Sequence, residues 1–206
     1  MRVTVIDYKA GNLTSVLKAL RHLGAETIVT DGDLAVVESA ERIVLPGVGH
    51  FAATRRLDET GLTAAIRAAI ARGVPYLGIC VGMQWLFAGS SEAPGQPGLA
   101  HFAEACTRFP EGREKVPHVG WNSLAVRPGS RLLAGIEDGA HVYFTHSYRA
   151  PVTPDCAATT TYIEPFAAAV ERGNVCGVQF HPEKSGAAGL RILDNFLDWK
   201  PGVESC

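Results

Sequence analysis

Cysteines are few in this sequence, and their spacing does not suggest disulfide pairing or metal binding. The chain of 206 residues contains five of them, and none form a C-x-x-C pair. An odd number of scattered thiols is not typical of a disulfide framework, and it provides no zinc-ligand spacing. The five single thiols are Cys80, Cys106, Cys156, Cys176 and Cys206, and most of them are expected to be small buried side chains. The sequence therefore predicts no metal site.

The sequence also lacks long apolar segments and an excess of positive charge. No apolar run approaches the roughly 20 residues that a membrane-spanning helix needs. The formal net charge is −2, which gives no sign of a nucleic-acid-binding surface. The first apolar run is short, ends at Asp7 and has no signal-peptide cleavage pattern. We expect a soluble, cytoplasmic protein that binds neither nucleic acid nor a membrane.

Strands and helices alternate in the first half of the chain. Hydrophobic residues make up 47% of the sequence, enough for the core of a single domain over residues 1–206. The predicted strands cover residues 3–7, 26–30, 42–45 and 76–79. One predicted helix begins after Asn12, and two others cover residues 62–72 and 82–87. This alternation predicts an α/β fold with a mostly parallel central sheet and helices on both faces.

The second half of the chain has a different pattern. Residues 90–98 are rich in Gly, Pro and Ser, which predicts a loop. Strand-like segments follow at residues 124–127, 141–149, 156–163, 166–171 and 175–180, and a last helix is marked by Leu190, Leu193 and Leu197. We expect antiparallel strands from this half to be added to the central sheet.

Residues 78–82, Gly-Ile-Cys-Val-Gly, lie between a predicted strand and a predicted helix. The pattern matches a nucleophile elbow in which Cys80 replaces serine. Its glycines permit a sharp turn that presents the side chain at the strand end, and the start of the helix favours the thiolate. The alternative is a structural cysteine buried in a glycine-rich turn. The strand–turn–helix context favours a nucleophile.

A thiolate that attacks an amide needs a proton donor for the leaving nitrogen, and His181 is the best candidate. It follows a predicted strand and precedes Pro182 and Glu183. Glu183 can reach back to orient the imidazole and stabilise its cation. The alternative is a surface histidine beside a solvated glutamate. His118 and His146 are weaker candidates for the same role.

The loop Gly47-Val48-Gly49 follows the third predicted strand. Because glycine tolerates positive φ, this loop can turn a backbone N–H towards the site. The N–H groups of Val48 and Val81 would then form an oxyanion hole. The alternative is a tight turn that only starts the next helix.

Three motifs occur in order along the chain: Pro-Gly-Val-Gly at 46–49, Gly-Ile-Cys-Val-Gly-Met-Gln at 78–84 and Gln-Phe-His-Pro-Glu at 179–183. Together they resemble the class I glutamine amidotransferases, a family with a flavodoxin-like fold. Further segments at 6–13, 116–122, 143–148 and 184–185 are similar to glutaminase subunits of imidazole glycerol phosphate synthase, from histidine biosynthesis. The run Pro-His-Val-Gly-Trp-Asn at 117–122 is the most discriminating.

The resemblance implies a role for each matching residue. It makes Cys80, His181 and Glu183 a triad that hydrolyses glutamine to glutamate and ammonia. The implied substrate-binding groups are Gln84 and the backbone of Gly47, Ser147 and Tyr148. The residues implied to face a (βα)₈-barrel cyclase in a heterodimer are Asn12, Tyr143 and Lys184. The cyclase would use the ammonia to make imidazole glycerol phosphate and aminoimidazole carboxamide ribonucleotide, and no cofactor is implied.

The sequence departs from the family pattern at Lys9, where glycine is usual, and at Val81, where leucine is common. Three alternatives stay open. The chain resembles other class I amidotransferases, which serve pyridoxal phosphate, purine or anthranilate synthesis, but the 117–122 run argues against these. A non-catalytic binding subunit is disfavoured by the intact Cys80, His181 and Glu183. A stand-alone cysteine hydrolase or chaperone of similar fold is disfavoured by Asn12 and Lys184, which the resemblance places at the partner.

Overall fold

Five parallel strands form the centre of the main sheet. The computed structural model describes residues 1–10, 13–112 and 114–199. In spatial order the parallel strands are β2 (Glu26–Thr30), β1 (Arg2–Ile6), β3 (Ile43–Gly47), β4 (Tyr76–Cys80) and β12 (Val175–Val178). Four of them come from the first half of the chain, as the alternating pattern predicts. The predicted parallel core is confirmed.

Antiparallel strands extend this sheet on the β12 side, and they come from the second half of the chain. They are β11 (Glu164–Arg172), β10 (Cys156–Tyr162) and β7 (Ala125–Val126). Five consecutive residues of β11, from Phe166 to Val170, are fully buried. Burial of consecutive residues means that both faces of this strand are covered, as in the parallel strands.

The predicted strand at 141–149 is not added to the central sheet, which corrects the sequence-based expectation. It divides at Ser147 into β8 (His141–His146) and β9 (Tyr148–Arg149). β8 pairs with β6 (His118–Ser123), a strand that the sequence did not predict, and β9 pairs with β5 (Thr107–Arg108). We call the β6–β8 pair the outer ribbon.

The outer ribbon packs by one face only, which explains its separation from the sheet. In β8 the buried residues alternate: Val142, Phe144 and His146 are buried, whereas Tyr143 and Thr145 are partly exposed. Because side chains of a strand point alternately to opposite faces, one side of the ribbon lies on the core and the other side faces outward.

The helices form two groups. In the described residues they are α1 (Leu13–His22), α2 (Leu34–Glu38), α3 (Arg55–Glu59), α4 (Leu62–Ala71), α5 (Val81–Gln84) and α6 (Gly186–Leu197), with 3-10 turns at Phe51–Thr54 and Pro182–Lys184. α1 contacts α6, whereas α4 contacts α2 and α3. None of the described helices is long and apolar enough to cross a membrane.

The helix predicted at 82–87 is shorter than expected, because α5 ends at Gln84. The carbonyl groups of the next residues accept hydrogen bonds from a later segment, so they are not available for further helical turns. Leu99 N–H donates to Trp85 at 2.6 Å, and Ala100 N–H donates to Phe87 at 3.1 Å. The four-residue α5 therefore gives only weak electrostatic support to a thiolate at its start.

The strand register brings three segments together at one edge of the sheet. Gly47 of β3 lies beside Cys80 of β4, and Ile79 lies beside Val178 of β12. Gln179, the next residue after β12, is therefore level with Cys80. The carboxyl ends of parallel strands are where sites form in open α/β sheets.

Candidate active site

Cys80 occupies a strained turn between β4 and α5. Its backbone has φ 55° and ψ −108°, a conformation that costs a non-glycine residue about 1–3 kcal/mol. A methyl group at Gly78 would overlap the backbone of Gly82, and one at Gly82 would overlap the carbonyl of Leu45. Both glycines are thus needed for close backbone packing, and this packing holds Cys80 in the turn.

His181 and Glu183 form a buried pair beside this turn. His181 Nδ1 and Glu183 Oε1 are 2.9 Å apart, and their side chains are only 1% and 3% exposed. The 3-10 turn Pro182–Lys184 brings the carboxylate back to the imidazole. Ser185 fixes this turn, because its hydroxyl donates to the His181 carbonyl at 2.6 Å and accepts from Tyr143 N–H at 3.0 Å.

The proton affinity of His181 depends on its two neighbours. Burial lowers the pKa of His181, but the interactions with Cys80 and Glu183 outweigh burial and raise it to about 9. Nε2 is buried and makes no regular hydrogen bond among the described residues. The imidazole is therefore expected to be protonated at neutral pH, with Nε2–H as its available donor.

A cavity of about 250 Å³ opens onto Cys80. The predicted residues among its lining are Val48, Cys80, Val81, Gln84, Ser147 and Tyr148. Glu92 also lines it, although residues 90–98 give only a loop pattern in the sequence. Glu92 Oε2 accepts a hydrogen bond from Phe51 N–H at 2.7 Å, which fixes the carboxylate at the cavity. No motif in the sequence pointed to Glu92.

Gly47 lies next to the cavity residues but is not among those that line it. A methyl group at Gly47 would overlap the hydroxyl of Tyr8, so this position needs glycine for close approach. The Tyr8 hydroxyl is buried and has no hydrogen-bond partner among the described residues. Burial raises the pKa of Tyr8, and the nearby Cys80 adds to the effect, so the phenol is neutral.

Gln84 is 3% exposed, and its amide nitrogen is already engaged. Nε2 donates to the Tyr148 carbonyl at 2.9 Å and to Gln179 Oε1 at 3.0 Å. The described hydrogen bonds include none to the Oε1 atom of Gln84. A ligand in the cavity would therefore meet Gln84 as an acceptor.

His118 and His146, the weaker candidates for the acid–base role, form a buried chain of hydrogen bonds. His118 Nδ1 lies 3.0 Å from His146 Nε2, and His146 Nδ1 lies 2.9 Å from the Tyr148 carbonyl. Burial lowers the pKa of His118 to about 4 and that of His146 to about 3, so both rings are neutral. Neither is suited to donate a proton at neutral pH. In the described residues no group of three or more His, Cys, Asp or Glu could hold a metal ion.

The predicted partner-facing residues are only partly described. Asn12 lies outside the described residues. Lys184 Nζ lies 5.9 Å from the centre of the Tyr143 ring, and Trp121 contacts the same ring at 6.0 Å between centroids. Trp121 is 56% exposed, and so is Val119 two residues earlier on the outer ribbon. The sequence motif contains both residues, but only the register of the ribbon places them on one outward face.

The backbone conformation of Lys9 explains why glycine suits this position. Its φ is 62°, in the left-handed region that glycine adopts easily. The lysine forms ion pairs with Asp7 at 3.1 Å and Asp31 at 2.9 Å, which raise its pKa. These partners lie on the loops after β1 and β2, so Lys9 joins two neighbouring loops where the family usually has glycine.

Comparisons with known proteins agree with this fold. The model of the family "Glutamine amidotransferase class-I" matches residues 4–199. The chain belongs to the class I glutamine amidotransferases, which confirms the resemblance noted from its motifs. A solved structure titled "glutamine amidotransferase" shares this fold, with a TM-score of 0.75, 20% identity, and coverage of 95% of this chain and 97% of that one.

Closer relatives within the class carry a more specific name. The chain is 46% identical to the imidazole glycerol phosphate synthase subunit HisH of Deinococcus radiodurans, over 94% of this chain and 92% of the relative. It is 44% identical to the HisH subunit of Chloroflexus aurantiacus, over 98% of both chains. The similarity extends over nearly the full length in each case.

Replacement of Gly82 by alanine tests the packing of the turn. The added methyl would overlap the Leu45 carbonyl, and overpacking typically costs about 1–3 kcal/mol. We expect Gly82→Ala to lower the free energy of unfolding by that amount, measured by urea titration. Gly95→Ala is the matched control, because nothing lies within 4 Å of the added methyl at that position. Equal stability of the two variants would contradict the close-packing account.

Proposed function

We propose that this chain is the glutaminase subunit of imidazole glycerol phosphate synthase. It hydrolyses glutamine at Cys80 and supplies ammonia to a (βα)₈-barrel cyclase in histidine biosynthesis. The observation that carries the proposal is the arrangement of Cys80 on a strained turn beside His181, whose Nδ1 is bound by Glu183. The HisH relatives support the choice of this synthase over other class I systems.

The first half-reaction forms a thioester. The Cys80 thiolate attacks the carboxamide carbon of glutamine, and the carbonyl electrons move to oxygen. Val48 and Val81 line the cavity, and the proposal assigns stabilisation of this oxyanion to their backbone N–H groups. Protonated His181 donates from Nε2 to the amide nitrogen, the C–N bond breaks, and ammonia leaves.

The second half-reaction regenerates the thiol site. Neutral His181 accepts a proton from water, and the resulting hydroxide attacks the thioester carbon. Collapse of the second tetrahedral intermediate breaks the C–S bond and releases glutamate. Glu183 stabilises the imidazolium that forms in this step, because its carboxylate remains 2.9 Å from Nδ1. No step in this sequence requires a metal or an organic cofactor.

The cavity offers complementary groups to the amino-acid end of glutamine. Glu92 supplies a carboxylate, and Gln84 supplies an acceptor oxygen, so both suit the substrate ammonium group. The carboxylate of the substrate needs donors, for which the backbone at Gly47, Ser147 and Tyr148 was inferred. The carbonyl groups of Ser147 and Tyr148 accept from Phe109 N–H and from Gln84, so the proposal assigns the contact with the substrate carboxylate to backbone N–H groups.

The cyclase is proposed to dock on the outward face of the outer ribbon. This face presents Val119 and Trp121, which are apolar and 56% exposed, beside Tyr143 and the cation of Lys184. Trp and Tyr side chains are enriched among interface residues that carry binding energy. A heterodimer in the cytoplasm is part of the proposal. The four buried cysteines of the described residues are unpaired, as a reducing compartment would keep them.

Replacement of Cys80 by serine tests the nucleophile. We expect Cys80→Ser to abolish glutamine-dependent synthesis by the complex but to preserve synthesis from added ammonium salts, since the ring chemistry belongs to the partner. A diazo-ketone analogue of glutamine should label Cys80 alone, as peptide mass mapping can establish. Burial raises the pKa of Cys106, Cys156 and Cys176, which keeps these thiols unreactive. Retained glutaminase activity in the serine variant would refute the assignment.

The pH dependence tests the role of Glu183. His181 donates only as imidazolium, so kcat/KM should decline as pH rises through its pKa of about 9. The Glu183 carboxylate favours the imidazolium, so Glu183→Gln lowers this pKa. The alkaline decline should begin about one pH unit lower. Glu59→Gln, which changes an exposed carboxylate of α3, serves as the control. An unchanged alkaline limb in Glu183→Gln would exclude this role.

Titration calorimetry with the cyclase tests the docking face. Trp121→Ala should weaken binding by about 30-fold or more, equivalent to about 2 kcal/mol. Val119→Ala should have a smaller effect. Val152→Ala is its matched control, because Val152 is 50% exposed and lies outside the ribbon. Labelling of Cys80 by the analogue should stay normal in all three variants. If Val119 and Trp121 can both be replaced without loss of affinity, the cyclase docks elsewhere.

A further inference from the structure

Two buried glutamines lie directly behind the thiol of Cys80. Gln179 is fully buried, and Gln84 is 3% exposed. Gln179 Nε2 lies 3.6 Å from Cys80 Sγ, within the usual range for a hydrogen bond to sulfur. Sγ also lies 4.0 Å from the Thr145 carbonyl, a long contact, and it interacts with the His181 imidazole. Gln179 does not line the substrate cavity.

The orientation of the Gln179 amide follows from a chain of hydrogen bonds with an unambiguous start. A carbonyl oxygen can only accept, so the Gln84 atom 2.9 Å from the Tyr148 carbonyl is its NH₂ group. The second hydrogen of that NH₂ group points to Gln179, 3.0 Å away, which must therefore present its oxygen. The remaining end of the Gln179 amide, its NH₂ group, then faces Cys80. The reverse orientation would oppose two NH₂ groups.

His146 strengthens the start of this chain. Its Nδ1 lies 2.9 Å from the same Tyr148 carbonyl, so it carries the hydrogen on Nδ1. Its Nε2 is then an acceptor for His118 Nδ1–H at 3.0 Å. The Tyr148 carbonyl thus receives two donors, from His146 and Gln84, and cannot rotate without the loss of both. This arrangement anchors the whole chain that ends at the sulfur.

We propose that Gln179 is a catalytic residue that holds the Cys80 thiolate through an N–H···S hydrogen bond. Gln84 positions Gln179, because the NH₂ group of Gln84 pairs only with the oxygen of the Gln179 amide. A hydrogen bond to the charged form of a group favours that form. The proposal rests on the proposed function, in which the thiolate is the nucleophile. It also gives Gln84 a second task besides its contact with substrate, since its amide nitrogen is committed to Gln179.

This donor compensates for the short helix behind Cys80. A four-residue α5 offers little dipole stabilisation, and Thr145 presents a carbonyl that favours the protonated thiol. The Gln179 amide is an uncharged donor, so it does not compete with the thiolate for the proton of His181. Hydrogen bonds to charged groups are typically worth about twice those between neutral groups. The proposal therefore gives the thiolate two stabilising neighbours, the Gln179 amide and the His181 cation.

The test is the pH dependence of Cys80 alkylation by iodoacetamide in the full-length chain, followed by mass spectrometry. Gln179→Met keeps the length of the side chain but removes the donor. We expect the midpoint of the alkylation curve to move to higher pH by about one unit. Turnover of glutamine at neutral pH should fall about 10-fold with little change in KM, because Gln179 is outside the cavity.

A second variant separates the donor from a structural role. Gln179→Glu retains an oxygen that can accept from Gln84 but turns an acceptor towards the sulfur. The proposal predicts a larger upward shift of the midpoint here than in Gln179→Met, because the carboxylate adds repulsion of the thiolate to the loss of the donor. A purely structural role predicts a wild-type midpoint in Gln179→Met. Gln96→Met is the matched control. Gln96 is also a buried glutamine, 5% exposed, and its amide donates to Asp58 at 2.8 Å. Its loss should leave the midpoint unchanged.

The outcomes distinguish the two proposals. Wild-type midpoints in both Gln179 variants would overturn the role of Gln179 and leave the glutaminase assignment intact. A wild-type chain in which the glutamine analogue does not label Cys80 would instead overturn the proposed function. A midpoint shift in both Gln179 variants, with none in Gln96→Met, supports the thiolate donor.

Discussion

The site depends on one close approach of backbone to backbone. Gly82, at the start of α5, packs against the Leu45 carbonyl of β3, and Gly78 packs against Gly82 itself. This contact forces the chain to turn at Cys80, whose φ of 55° only a rigid surrounding structure can maintain. The strain is confined to this turn, and the sheet stabilises it because β4 is paired on both sides, with β3 and with β12. The consequence is a nearly buried thiol, 4% exposed, that is held in a fixed position at the edge of the cavity.

A second layer of polar contacts determines what the turn can do. Two anchored acceptors, the Tyr148 carbonyl and Glu183, organise the groups on either side of the sulfur. The first fixes Gln84 and, through it, Gln179; the second fixes His181. Buried polar groups are costly unless each has a partner, so such a network has few alternative arrangements. This explains how neutral amides and one imidazole can be held within reach of the same sulfur.

Local patterns predicted much of this arrangement, and the reasons for the exceptions are physical. Cys80, His181 and Glu183 lie in short motifs whose geometry is set within a few residues of chain. Glu92 and the outward orientation of Trp121 depend on contacts between distant segments, which a single sequence does not record. Gln179 belongs to a motif that was recognised, but its partner Gln84 is 95 residues away. The sequence predicts a single strand at 141–149, because no glycine or proline marks the break at Ser147 between β8 and β9.

The outer ribbon connects the proposed docking face with the catalytic pair. Its period of two residues places Val119, Trp121 and Tyr143 outward, whereas His118 and His146 point into the polar chain behind the site. The backbone of Tyr143 also receives the N–H of His181 at 2.9 Å, and its own N–H donates to Ser185, which holds the turn of Glu183. A partner that contacts the Tyr143 ring therefore touches a residue whose backbone positions the acid and its carboxylate. The proposed docking face and the backbone contacts of His181 thus share strand β8, so a shift of β8 would alter the geometry of His181.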